Sequence, residues 1–489
     1  MMTARGSLVP SLTGLVVAIA CLLPAAAFAG PRSFDTGVTV PDAGHVPELG
    51  YERINQAGAK LTRVTIFWSR VAPQEQPAGW DRTDPNDPNY NWTSPDHQIM
   101  EAAAAGLRTM IQIHSAPAWA ERCQSPGEPG ICNPDPVEFQ RFTRAVVERY
   151  SGNVSGLPKV RFWEPWNEPN LHIFFEPQRM GSKRPSPGLY RTLLNRFAAV
   201  VKNHDASNVV VAGGLAPLGG TASTHPLTFM RRLLCMKGRA KPKPNPRCRA
   251  TSRFDIWATN PYTTGGPTHS AIHRDDVQLG DLPEVTKLIR AAKRADRIRS
   301  DRKNIGLWVT EFSWDSAPPD PGGLKMPVLK RWMAEAMFRS WKAGFDTFFW
   351  LSIRDWDRSS GLPYSETYES GLWFRGETIE QDTRKGTLRV FRAPFVAIRR
   401  GRGMVVWGRT VNSKPGRVAI KFGPRTNRVE RRIKTVHANR FGVFKTFFRT
   451  NSGRNKRGFV TATSRGFTST PYPLRPQRDF YHPPFGKKL

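Results

Sequence analysis

Two short stretches hold the residues best suited to chemistry. "VRFWEPWNEPN" (160–170) crowds Trp163, Glu164, Trp166, Asn167 and Glu168 into a β-rich run that Pro169 stops. "WVTEFSW" (308–314) carries a second β-rich run into Glu311, flanked by aromatic residues. Two carboxylates at a fixed separation can divide labour: one attacks an electrophilic carbon while the other gives and takes a proton. The scaffold must bring these distant residues to one cleft, so the surrounding elements decide whether the pair is real.

From about 35 to 385 one pattern recurs, an amphipathic helix ending in a small or turn residue and then a short β-rich run. "EAAAAGLRTMIQIH", "DRKNIGLWVTEFSW" and "WKAGFDTFFWLSIRDW" all show it. Helices are expected near 97–105, 136–150, 186–204, 283–299 and 327–342. In the second of these, Phe139, Phe142, Val146 and Tyr150 recur at helical spacing. Strands are expected at 36–40, 61–67, 107–113, 159–166, 208–213, 254–260, 306–311 and 345–351. Eight strands alternating with helices imply a parallel sheet, and eight repeats fit a closed (β/α)8 TIM barrel, of the α/β class, over 30–385. A doubly wound open sheet is the alternative, weakened because no Gly-rich phosphate loop follows the first strand.

In such a barrel chemistry sits at the C-terminal strand ends. Strand two carries Arg63 with Trp68 beyond it, strand three ends at His114 and strand four at Asn167-Glu168. Strand six ends at Asn260-Pro261-Tyr262 and strand seven at Glu311, followed by Trp314; strand eight carries Trp350. Carboxylates on strands four and seven, across the mouth, are what double-displacement glycoside hydrolysis needs, at a separation of about 5–5.5 Å.

The paired "WNEPN" and "WVTEFSW" motifs resemble the clan of retaining (β/α)8 glycoside hydrolases that includes families 5 and 39, over roughly residues 35–375. The resemblance implies Glu168 as acid/base and Glu311 as nucleophile. It implies Asn167 on the sugar 2-hydroxyl, Arg63 supporting the nucleophile and Tyr262 hydrogen-bonded to it. Trp350 would be the sugar platform, with Trp314 a second candidate, and His114 a site histidine. Glu164, four residues before Glu168, reads instead as a buried charge partner inside the barrel. Ionised Glu311 near Glu168 should raise the pKa of Glu168. The mechanism needs no metal or organic cofactor.

The rest of the chain frames this enzyme. Residues 1–29 read as a cleavable secretory signal, with the apolar run "LTGLVVAIACLLPAAAFA" ending near Ala29. That implies an exported protein, secreted or wall-associated, with no later membrane span. The four remaining cysteines form two close pairs, Cys123/Cys132 and Cys235/Cys248, expected as local disulfides, although four cysteines allow three pairings.

The formal charge is +33 among 489 residues, and it is uneven. From Gly386 to Leu489 there are 25 Lys+Arg against Glu430 and Asp479, a net of +23. There the pattern changes to short alternating runs, expected as a small antiparallel β-sandwich over 403–474 with a Pro-rich basic tail at 475–489. "VERRIKTVHANRFGVFKTFF" resembles Ig-like modules at the ends of bacterial secreted proteins. Its charge reads either as an anchor to an anionic wall or acidic polysaccharide, or as a stabilising domain. No nucleic-acid motif is present. The expectation is a monomeric, secreted glycoside hydrolase acting on carbohydrate. A carbohydrate-binding protein on an inactive barrel and a transglycosylase are the rivals.

Overall fold

The computed structural model of the protein describes residues 30–39, 48–123, 130–359, 361–424, 431–449 and 458–475. The expected signal segment and the Pro-rich tail after Arg475 lie outside them.

Eight parallel strands close into a barrel: β1 (Asp35–Thr39), β2 (Leu61–Phe67), β3 (Arg108–His114), β4 (Phe162–Pro165), β5 (Val209–Leu215), β6 (Ile256–Thr259), β7 (Gly306–Val309) and β8 (Thr347–Leu351). β1 pairs with both β2 and β8, which seals the ring. Helices alternate with them: α1 (Glu48–Gln56), α2 (Thr93–Ala104), α3 (Pro136–Arg149), α4 (Ser186–His204), α5 (Pro226–Leu233), α6 (Leu282–Arg294) and α7 (Met326–Ala343). The eight expected strands and five expected helices all have counterparts. α1 and the short α5 were not singled out as helices; neither is long enough for a strong 3.6-residue repeat.

Local chemistry fixes the boundaries. Asp135 caps α3 by accepting from the Val137 and Glu138 amides, with Pro136 at the first helical position. Phe139, Phe142 and Val146 of α3 then face inward and are buried. α7 ends at Gly344, whose φ of 106° is open chiefly to glycine.

Strand alternation sorts side chains into two layers. Leu61, Met110, Val209, Val211, Ile256, Ala258, Trp308 and Phe349 form a cluster contributed by strands alone, with Phe162 packed on it; this is the barrel interior. Residues of the same parity further along the strands point the same way. Arg63, Gln112, His114, Glu164, Asn260 and Tyr262 share that parity.

A helix, Thr387–Arg392, leads into the C-terminal unit. β9 (Phe395–Arg400), β10 (Gly403–Arg409) and β13 (Val443–Arg449) form one antiparallel sheet. β11 (Gly416–Gly423), β12 (Arg431–Ala438) and β14 (Phe459–Ser464) form the other, extended by two short strands. β9 precedes the stretch expected to open this domain; it pairs along its whole length with β10. Both disulfides join the expected partners, with Cα atoms 5.4 Å apart in Cys123–Cys132 and 5.2 Å in Cys235–Cys248.

The sandwich is packed onto the barrel. Trp407 of β10 is fully buried among Phe34, Phe338 and Trp341, with ring centroids 5.5, 5.7 and 5.6 Å away. Next to it Arg409 reaches Phe34 O, Thr36 Oγ1 and Phe391 O at 3.0–3.2 Å. Burial pushes the Arg409 guanidinium down to about 10. Trp407→Ala should therefore cost about 3–5 kcal/mol. Urea unfolding should show the barrel destabilised with the sandwich; an unchanged barrel transition would mean that the two units fold independently.

Candidate active site

The site is built where β2, β3, β4, β6 and β7 end. Leaving β4, the chain bends through two left-handed residues, Trp166 at φ 71° and Glu168 at φ 39°. Neither is glycine, so each conformation costs roughly 1–3 kcal/mol and must be held by its surroundings. The holding bonds are visible. The Trp166 amide donates to Ile113 O at 2.7 Å, and its indole N–H donates to Phe174 O at 2.6 Å. Asn170 then clamps the next loop, donating to Thr224 O at 3.2 Å while its Oδ1 accepts from the Ala216 amide at 2.9 Å.

This bend brings Glu168 to Asn260, whose Nδ2 donates to Glu168 Oε1 at 2.8 Å. The orientation of the Asn260 amide is set from behind, because Thr310 Oγ1 donates to its Oδ1 at 2.9 Å. Two residues on, the Tyr262 hydroxyl donates to Glu311 Oε1 at 2.9 Å. Arg63 completes the set with Nη2 2.8 Å from Glu311 Oε2. One strand end thus contacts both glutamates, through Asn260 and Tyr262.

Burial and charge set the protonation states. Glu168 is pushed up to about 8, first by burial and then by the negative charge of Glu311; the Asn260 bond and Arg63 pull the other way. Glu164 is pushed up to about 7, again mainly by burial, opposed by Arg63 and the Gln112 bond. The Tyr262 hydroxyl is held well above its usual value by burial and by Glu311. His114 is pushed down to about 3 by burial and by the charges of Arg63 and Arg70, which leaves its ring neutral.

The sequence-predicted residues divide accordingly. Glu168, Glu311, Arg63 and Tyr262 come together with Asn260 in one network. Asn167 is half-buried, with Oδ1 accepting from Gln112 Nε2 at 3.4 Å. His114 is buried beside them, its Nδ1 2.7 Å from Ser115 Oγ and its ring edge-on to Phe67 at 4.7 Å. Glu164 is fully buried in the barrel, but its direct partner is the neutral Gln112, whose Nε2 donates to it at 2.9 Å, rather than a charged side chain. Gly214, at φ 53°, is required here, since any Cβ would lie 2.9 Å from Glu164 Oε1.

Trp350 and Trp314 do not meet their expectation. Trp350 is 0% exposed and donates to Ser370 O at 2.7 Å. Its neighbour Phe349 fills the barrel interior, so alternation turns Trp350 outward toward the helix layer. Trp314 is 1% exposed, wedged between Phe312 and Trp332 at 4.6 and 5.3 Å. Neither offers an open face for a sugar ring.

Sequence reasoning gave no role to Asn260, Gln112, Thr310 or Tyr368. Asn260 was within reach, two residues before Tyr262 and therefore on the same face. Tyr368 comes from the loop after β8. Burial first, then the charges of Glu311 and Glu168, raise the pKa of its hydroxyl. Its ring packs edge-on against Trp356 at 5.0 Å. Nothing in that loop's spacing marks it.

The fold is shared with solved glycoside hydrolases. A monomeric β-xylosidase from Caulobacter crescentus CB15 superposes with a TM-score of 0.50 at 16% identity, covering 86% of this chain and 95% of its own. A GH39 enzyme from Xanthomonas axonopodis pv. citri gives 0.50 at 14%, covering 86% and 93%. A GH39 β-xylosidase from Caulobacter crescentus gives 0.50 at 17%, covering 81% and 83%. No family profile and no curated protein matches the sequence. The chain shares their (β/α)8 architecture, and its Glu168 and Glu311 lie just past the ends of β4 and β7.

The raised Glu168 carries a stability signature. A carboxyl whose folded pKa is about 8, against 4.5 unperturbed, binds a proton in the folded state between those values when the unfolded chain has lost it. Its contribution is complete at low pH and is lost as pH rises through about 8. Glu168→Gln removes that loss, so its Tm should gain on the parent steadily from pH 5 to pH 8. A constant Tm difference would contradict a buried, protonated Glu168.

Proposed function

We propose that the protein is an exported retaining glycoside hydrolase acting by double displacement. The observation that carries this reading is the shared network: Glu311 held by Arg63 and Tyr262, and Glu168 kept as an acid near pH 8 by burial and by the Glu311 charge. Glu311 attacks the anomeric carbon while Glu168 gives its proton to the departing glycosidic oxygen, leaving a glycosyl ester on Glu311. Formation of the ester removes the Glu311 charge, so the Glu168 carboxylate no longer faces a second anion. It then takes a proton from water, which attacks the same carbon and frees Glu311. Asn167, half-buried beside Glu168, is placed to hold a sugar hydroxyl. Because Glu168 must enter protonated, kcat/KM should fall as pH rises through about 8.

A buried acid raised by a neighbouring anion favours catalysis over simple sugar binding, which needs no such pair. Transfer to a sugar acceptor instead of water would use the same residues. The leader-like segment supports export. The test is reducing-end release from plant, fungal and bacterial-wall polysaccharides, β-xylan included, run beside Glu311→Gln. Wild-type release should drop by at least about 10³-fold in the variant, with the first product showing retained anomeric configuration by NMR. Inverted product would remove Glu311 from the nucleophile role. Binding without release in both proteins would favour the carbohydrate-binding reading.

A further inference from the structure

Away from the strand ends, α6 and α7 flank an open cavity of about 420 Å³ on the outer layer of the barrel. Five cations line it: Lys287, Arg290 and Arg294 from α6, and Arg339 and Lys342 from α7. No acidic side chain lines it. Lys287 is paired with Glu284 at 2.7 Å, and Arg339 lies 4.0 Å from Glu335. Arg290 and Arg294 are exposed and have no acidic partner among the described residues. The charges of Arg400, on the sandwich, and of Arg339 add to burial in lowering the pKa of Lys342. The fold thus gathers like charges at the barrel–sandwich seam, at an electrostatic cost that a bound anion would relieve.

The arrangement has a length. Lys287, Arg290 and Arg294 stand at i, i+3 and i+7, one face of α6, a row of about 10 Å at 1.5 Å per residue. One small ion cannot touch both ends of such a row, whereas a chain carrying repeated anionic groups can. Arginine forks match carboxylates, two N–H groups to two oxygens. The remaining wall includes the exposed Pro283, apolar surface that suits the C–H face of a sugar ring better than a bare phosphate. We infer that this cavity is a second carbohydrate site, remote from the catalytic pair, that takes a segment of a carboxylate-bearing (uronate) polysaccharide and tethers the enzyme to it. The carbohydrate part of this assignment rests on the glycosidase reading; the anion part does not.

The test uses the full-length protein and calorimetric titration with polygalacturonate, galacturonate monomer, neutral xylan and inorganic polyphosphate, in 0.1 M salt. At that ionic strength exposed charges are screened beyond about 10 Å, so diffuse attraction from the net charge is weakened. Polygalacturonate should bind, and the monomer and xylan should not compete with it. Arg290→Gln/Arg294→Gln should weaken binding at least about tenfold while hydrolysis of a small chromogenic glycoside is unchanged. Arg431→Gln/Arg432→Gln, on the sandwich, should leave binding as it was. Undiminished binding by the α6 double variant would overturn the site. Monomer binding as tight as polymer would overturn the extended ligand, and equal affinity for polyphosphate would overturn the uronate. Glu311→Gln should bind polygalacturonate like the parent. If the wild-type protein bound polygalacturonate but released sugar from none of the polysaccharides, the glycosidase reading would fall and the anion site would stand.

Discussion

The structure depends on a shortage of positive charge at the centre of the barrel. Glu164, Glu168 and Glu311 project into one water-poor space, and Arg63 is the cation bonded there. It is bonded to Glu311. The other two carboxyls are buried with no cation bonded to them among the described residues, and burial holds them as acids near neutrality. This imbalance differentiates two chemically identical side chains. Had a second arginine bonded Glu168, it would have lost its proton at ordinary pH and could not have served as an acid. The neutral donors that do touch these groups, Gln112 and Asn260, satisfy an oxygen without supplying a full charge.

Such a balance survives only if the donors cannot move. Thr310 holds Asn260, Asn260 holds Glu168, and Thr39 Oγ1 donates to Thr310 O at 2.7 Å. The relay runs from β1 through the ends of β7 and β6 to the loop after β4, so barrel closure itself positions the acid. The left-handed bend is held at Glu168 by Asn260 and at Trp166 by Ile113 O and Phe174 O. The sandwich supports the ring from outside, with Arg409 bonded to Phe34 O and Thr36 Oγ1 around the start of β1.

Much of this was legible in one dimension. The helix–strand alternation specified eight repeats because each strand is bounded by turn chemistry and each long helix shows its apolar stripe. Glu168 and Glu311 stood out because polar residues crowd the ends of otherwise apolar runs. Trp350 misled because aromatic type was weighed without strand parity; Phe349 claims the interior, so Trp350 must face the helices. Trp314 misled because its burial between Phe312 and Trp332 is a tertiary contact beyond the end of β7. Asn260 was passed over for the opposite reason. An amide beside a tyrosine carries no signal of its own until its acceptor on another strand is known.

The sequence by itself pointed to the class of fold and to a pair of carboxylates at strand ends, because each rests on local periodicity or on residue type at a strand end; for the cysteines it left three pairings open. Tertiary structure decided what those carboxylates are. Burial and the Glu311 charge keep Glu168 protonated, and Glu311 is held by side chains 49 and 248 positions away, Tyr262 and Arg63. It also decided which tryptophans are core and where the cations of α6 and α7 meet. These are properties of distance in space, and a linear chain fixes them only after the barrel has closed.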